Sequence, residues 1–163
     1  MLIFLYNIGI FLYTALLYFA SNFNSKARLM ISGRENWQKE LKNAFRNNTS
    51  KVAWFHVASL GEFEQGRTVI ELFKKKFPKH KILLTFFSPS GYEIRKNYQH
   101  ADNIFYLPLD TKSNAKRFVS IVEPSLAIFI LPGGALLLPL VVKFIPKLLP
   151  SAFDDNRIED EEE

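Results

Sequence analysis

The first 25 residues carry no charged side chain, and from Leu2 to Ala20 they read LIFLYNIGIFLYTALLYFA, with only Asn7 and Thr14 clearly polar. Wound as a helix, that run spans roughly 28 Å, about the thickness of a bilayer's hydrocarbon core. It lacks the basic start and the small-residue cleavage site of a secretory leader, which favours a retained anchor, or a helix lying in the interface, over cleavage. The first charges, Lys26, Arg28 and Arg34, all follow it, and this positive-inside bias leaves the rest of the chain cytoplasmic.

Charge divides the remainder. Residues 26–150 hold 20 basic against 9 acidic groups, whereas the last 13 residues hold one Arg against seven Asp and Glu. A basic body is drawn to anionic lipids, phosphorylated substrates or nucleic acid. The aromatic residues fall on apolar strand and helix faces instead of alternating with exposed cations, which argues against nucleic acid. The absence of cysteine excludes disulfides and thiolate metal sites and fits a reducing or cysteine-indifferent location. His56, His80 and His100 have no spacing that sets two on one helical face, so no metal site is expected.

Five stretches follow: a membrane anchor over 1–25, a basic amphipathic linker over 26–50, an αβ body over 51–130, an apolar stretch broken by Pro and Gly over 131–150, and an acidic tail over 151–163. The linker contains a predicted helix from Arg34 to Arg46, with Trp37, Leu41, Ala44 and Phe45 on one side. In the body, short apolar runs at Val52–Val57, Ile82–Phe87, Asn103–Tyr106 and Leu126–Ile130 alternate with helix-length segments at Glu62–Phe77, Ser90–Tyr98 and Ser113–Val122. Such alternation predicts parallel βαβ units, an α/β fold with a partial Rossmann-like sheet.

Ligands of such sheets collect where strands end and helices begin. Two of those turns are chemically informative. Ala58-Ser59-Leu60-Gly61-Glu62 sets a carboxylate on the first turn of a helix; on the residues alone, Glu62 reads first as a surface group complementing the helix dipole and second as a catalyst. Phe87-Ser88-Pro89-Ser90-Gly91 offers two hydroxyls and backbone N–H groups that suit a phosphate or carboxylate, although N-capping is the simpler use of the same residues. Ser59, His56 and Asp110 could be drawn as a hydrolase triad, but the G-x-S-x-G elbow is missing.

The run WFHVASLGEFEQGRTVIELFKKKFPKHKILLTFFSPSGYEIRKNY, followed by ADNIFYLPLDT, resembles the amino-terminal domain of 3-deoxy-D-manno-octulosonic acid (Kdo) transferases over roughly residues 1–130. The resemblance implies the amino-terminal half of a GT-B glycosyltransferase at the inner membrane. It implies inverting transfer of Kdo from CMP-Kdo to a lipid A precursor, with anionic membrane lipids as further partners and no cofactor beyond the donor substrate. The glutamate of the family's S-x-G-E motif, its general base, falls on Glu62. Ser59 and Gly61 shape that turn, Ser88, Ser90 and Gly91 match the family's second loop, and Arg67 and Arg95 occupy positions where basic residues recur; these are expected to position the acceptor.

After Ile130 the family pattern stops, and LPGGALLLPLVVKFIPKLLPSAFDDNRIEDEEE resembles a bacterial relative of the leucine-zipper, EF-hand-containing transmembrane family. A chain that lacks the donor-binding second domain is expected to be inactive alone. The competing expectation is a small membrane-bound interaction or ion-transport accessory protein in which the αβ part is only a scaffold.

Overall fold

The computed structural model describes residues 2–131; the apolar stretch after Leu131 and the acidic tail over 151–163 lie outside the described residues. Three helices come first: α1 (Leu2–Ser21), α2 (Ser25–Ser32) and α3 (Trp37–Phe45). The chain then alternates as β1 (Val52–Val57), α4 (Leu60–Lys76), β2 (Lys81–Phe86), α5 (Pro89–Arg95), β3 (Asn103–Tyr106), α6 (Lys112–Val122) and β4 (Pro124–Ile130).

Among the described residues, α1 is the one helix long and apolar enough to cross a membrane. Phe4, Phe11, Leu16 and Phe19 are exposed along it. Ile10, Thr14 and Leu17, spaced three and four residues apart, form a half-buried stripe instead. The Tyr6 hydroxyl donates to Asp110 in the loop before α6, so the early turns of α1 lie against the body.

The residues expected to be a linker are structured. No apolar periodicity predicts α2, which forms because the Asn24 side chain accepts from the N–H groups of Lys26 and Ala27 at 2.9 and 3.2 Å. The helix expected from Arg34 begins only at Trp37, since Asn36 turns the backbone into the left-handed region at φ 58°. Leu41 and Phe45 of α3 are buried with Val52, Leu83, Phe118 and Val122, so this stretch forms part of the core.

Strands β1 to β4 form a parallel sheet in the order β3-β2-β1-β4, which is the α/β class expected. Alternation along β1 sorts the two faces. Ala53, Phe55 and Val57 pack with Phe63, Ile70 and Phe73 of α4, while Val52 and Trp54 pack with α3 and α6. Burying each such Phe, Leu or Ile is worth about 1.5–3 kcal/mol. Gly66, in the middle of α4, costs helix propensity, but a Cβ there would run into the Ile130 side chain, and its absence lets α4 lie close to β4. Strand β4 starts two residues earlier than expected, at Pro124; it lies at the sheet edge, where a first residue without an N–H loses no ladder bond.

The chain steps outward from β1 to β2 to β3 and then returns to the other side of β1. Strand order therefore reverses beside β1, and the crevice of such a sheet opens at the carboxyl end of that strand.

Candidate active site

The turn that follows β1 faces this crevice. Ser59 is extended at φ −143° and occupies the cap position of α4, where its carbonyl accepts from Phe63 N–H at 3.2 Å. With Glu62 three residues on, S-x-x-E has the pattern of a capping box, in which hydroxyl and carboxylate each take a backbone N–H. The structure uses the pair differently. The Ser59 hydroxyl makes no cap bond and donates to Glu62 Oε2 in a short contact. Glu62 is only 9% exposed, so the reading of it as a surface carboxylate is corrected: it is buried and takes the Ser59 hydroxyl. Gly61 stays open, for a Cβ there would meet nothing nearer than Ser59 Oγ at 3.7 Å.

The turn after β2 lies beside it. Phe87 N–H donates to the Val57 carbonyl at 3.1 Å and Ser88 N–H to the Ala58 carbonyl at 2.8 Å, which ties the second turn to the start of the first. Gly91 permits a close approach: a Cβ would clash with the Phe86 ring and stand 3.2 Å from Leu60 N. Ser88 occupies the cap position of α5, but its side chain forms no cap bond. Its hydroxyl pairs with that of Ser90 at 2.8 Å, so the capping expected from the sequence is replaced by a hydroxyl pair at the surface.

The two arginines are placed elsewhere. Glu64 takes both: Arg67 lies 3.5 Å from it and 3.8 Å from Glu71, and Arg95 makes a short contact with it while lying 5.3 Å over the Phe63 ring. The exposed Arg67 pairs are worth about 0–1 kcal/mol each, so that guanidinium can exchange its partner cheaply, whereas Arg95 is part-buried. Among the described residues, Ser59, Gly61 and Glu62 thus come together, Ser88, Ser90 and Gly91 lie beside them, and Arg67 and Arg95 pair with Glu64.

Two further groups lie near the turns: His56, which the sequence offers as a core or near-site histidine, and Arg34, which it does not single out. His56, one residue before the end of β1, sets Nδ1 2.9 Å from the Thr85 hydroxyl, which also accepts from Trp54 Nε1 at 2.8 Å. Burial lowers the His56 pKa below its ordinary 6.5; hydrogen bonding to the Thr85 backbone and the charge of Glu62 oppose that shift, and the charge of Arg34 adds to it. The imidazole is therefore neutral at pH 7. Arg34, in the turn between α2 and α3, reaches across the carboxyl ends of two strands. Its Nη2 donates to the Phe87 carbonyl at 2.6 Å and its Nε to the Leu107 carbonyl at 2.8 Å. Nothing in the local sequence Ile31-Ser32-Gly33-Arg34-Glu35 announces contacts with residues 53 and 73 positions away.

A family model described as 3-deoxy-D-manno-octulosonic-acid transferase (kdotransferase) matches residues 35–131. The chain is 33% identical over 107 residues to the 3-deoxy-D-manno-octulosonic acid transferase of Aquifex aeolicus, which is 65% of this chain and 29% of that protein. It is 34% identical over 77 residues to the transferase of the same name from Haemophilus influenzae, 46% of this chain and 18% of the relative. With that of Chlamydophila psittaci it shares 34% over 83 residues, 50% of this chain and 19% of the relative. The chain therefore spans less than a third of the length of these relatives. No solved structure gives a significant match.

Proposed function

The chain belongs to the 3-deoxy-D-manno-octulosonic-acid transferase family, matching its amino-terminal domain over residues 35–131, and on that premise we propose that it forms the acceptor side of an inverting glycosyltransferase. The reaction is transfer of Kdo from CMP-Kdo to a hydroxyl of a lipid A precursor. Glu62 takes the acceptor's proton as the oxygen attacks the anomeric carbon; the new C–O bond forms as the bond to CMP breaks, and CMP leaves with that electron pair. A base so placed typically contributes ~10²- to 10⁴-fold in rate.

The observation that carries this reading is the placement of Glu62. It is buried, held by the Ser59 hydroxyl, and set on the first helical turn past the carboxyl end of β1, where strand order reverses. Gly61 keeps the turn uncrowded beside it, since even a Cβ there would make only an ordinary contact, 3.7 Å from Ser59 Oγ. The Ser88 and Ser90 hydroxyls and the cations Arg67 and Arg95 bind the acceptor's polar and phosphate groups, the arginines by releasing Glu64. The CMP-bearing half of the donor is held by a second lobe, outside the span that this chain shares with its relatives.

The exposed Phe4, Phe11, Leu16 and Phe19 of α1 anchor the chain at the inner membrane, with the basic body on the cytoplasmic side. The Tyr6 contact with Asp110 supports a helix that keeps its first turns near the body, as an interfacial helix does.

The test is acceptor binding by the chain in lipid vesicles. Vesicles containing a bisphosphorylated, tetra-acylated lipid A precursor should retain it more tightly than vesicles of equal charge made with phosphatidylglycerol. Equal retention would remove the acceptor reading, because charge alone would then explain binding.

A further inference from the structure

The Arg34 guanidinium spends its donors on three backbone carbonyls. Besides Phe87 and Leu107 it takes Met30 through Nη1 at 2.9 Å, and it stands 5.1 Å and 5.0 Å from the ring centres of Phe87 and Tyr106. No carboxylate is paired with it among the described residues, so it binds dipoles and ring faces. A planar fork can satisfy carbonyls on neighbouring strands at fixed angles; an ammonium on a flexible stem cannot. Burial lowers the Arg34 pKa below that of a free guanidinium, yet the group stays charged at any physiological pH.

What Arg34 holds matters more than what it is. Phe87 immediately precedes the serine turn, and Leu107 immediately follows β3. The neighbouring Gly33 brings the end of α2 down onto Tyr106, since a Cβ there would strike that ring and come within 2.9 Å of the Leu29 carbonyl. Tyr106 in turn stacks on Tyr92 of α5 at 4.1 Å, and its hydroxyl donates to Glu93 at 3.3 Å. Arg34 thus joins the stretch between α2 and α3 to the turn carrying Ser88 and Ser90, and Tyr106 packs against both Gly33 and Tyr92 just beyond that turn.

Building on the acceptor reading above, we propose that Arg34 is a positioning residue for the acceptor: by holding the Phe87 carbonyl it fixes the Ser88–Ser90 turn and ties that turn's placement to the stretch between α2 and α3. Glu62 lies on a different turn and is set locally by Ser59, so loss of Arg34 disturbs acceptor binding and leaves the base in place.

The experiment compares the full chain and Arg34→Lys in vesicles, following amide exchange and retention by the bisphosphorylated precursor. Exchange should quicken about tenfold at Phe87 and Ser88, stay unchanged at Ala53 and Phe55 in β1, and be accompanied by about tenfold weaker retention. In Arg34→Ala, added methylguanidinium should restore slow exchange at Phe87 and Ser88, which a general loss of stability would not allow. Equal quickening across β1 and the turn would reduce Arg34 to a structural residue, and unchanged exchange at Phe87 and Ser88 in Arg34→Lys would overturn the proposal. If the unaltered chain shows no preference for the precursor, the acceptor reading fails, and the exchange comparison still decides whether Arg34 holds the turn. A preference that survives Arg34→Lys intact leaves the acceptor reading standing and removes the proposal.

Discussion

The turns after β1 and β2 begin alike and are built differently. Each places a serine at the cap position of a helix, and neither serine caps. In the first, the hydroxyl finds Glu62 three residues on and closes a local pair that buries a carboxylate. In the second, position 91 is a glycine and the hydroxyls have only each other. That turn takes its shape from outside, from Arg34 on its carbonyl side and from the close approach of Gly91 to Leu60. A turn that carries its own partner is set by its sequence, whereas one without a partner depends on the fold around it.

The largest effect should come from the carboxylate. In a protein that includes the donor-binding half, Glu62→Gln keeps the Ser59 contact's shape and should lower Kdo transfer by ~10²- to 10⁴-fold while leaving precursor binding intact. Loss of binding with retained turnover per bound acceptor would instead make Glu62 a binding residue and erase the contrast between the turns.

The glycines give the next comparison. Gly91→Ala pushes a methyl against the Phe86 ring and the Leu60 backbone and should cost about 1–3 kcal/mol in urea unfolding, while Gly61→Ala makes only an ordinary contact with Ser59 Oγ and should change stability by less than about 1 kcal/mol, in either direction. Gly61→Ala should nonetheless weaken retention by the precursor, because the space it fills is the acceptor's. Equal stability losses at both positions would break the comparison.

The serines separate less widely. Ser59→Ala leaves a buried carboxylate oxygen without its donor and should cost about 1–2 kcal/mol, against about 0.5 kcal/mol or less for Ser88→Ala.

The smallest expected effect is acid sensitivity through His56, which the Glu62 and Arg34 charges face from the crevice side and Phe129 faces from β4. Its folded pKa lies below the unfolded 6.5, so the unfolded chain binds the proton first as pH falls. The stability due to the neutral imidazole is full above about pH 6.5 and drains as pH falls toward the lowered folded value. His56→Gln should therefore flatten the fall in urea midpoint between about pH 7 and about pH 5. An identical slope in both proteins would show that carboxylates alone carry the acid response.

The same division explains what could be read in advance. The runs Val52–Val57 and Asn103–Tyr106 predict β1 and β3 to the residue, because strand-forming side chains and period-two alternation are local properties. The segment 25–32 has no apolar period, and α2 hangs on one asparagine cap that periodicity does not register. The S-x-G-E turn locates Glu62, but whether that carboxylate is exposed or buried depends on a hydroxyl's choice between a backbone N–H and a carboxylate. Arg67 and Arg95 have the right charge for an anionic acceptor, yet Glu64, between them on the folded surface, takes both.

The sequence by itself determined the order of strands and helices, the apolar first helix, the excess of positive charge on the body and the two turns that could hold chemistry. All of these rest on residues within a few positions of one another, where spacing fixes neighbours. Tertiary structure alone decided that β4 returns to β1 and opens the crevice there, that Thr85 steadies His56 from the next strand, and that Arg34 grips the serine turn 53 residues away. Those contacts close long loops, and which loops close depends on how the whole set of apolar faces is buried at once.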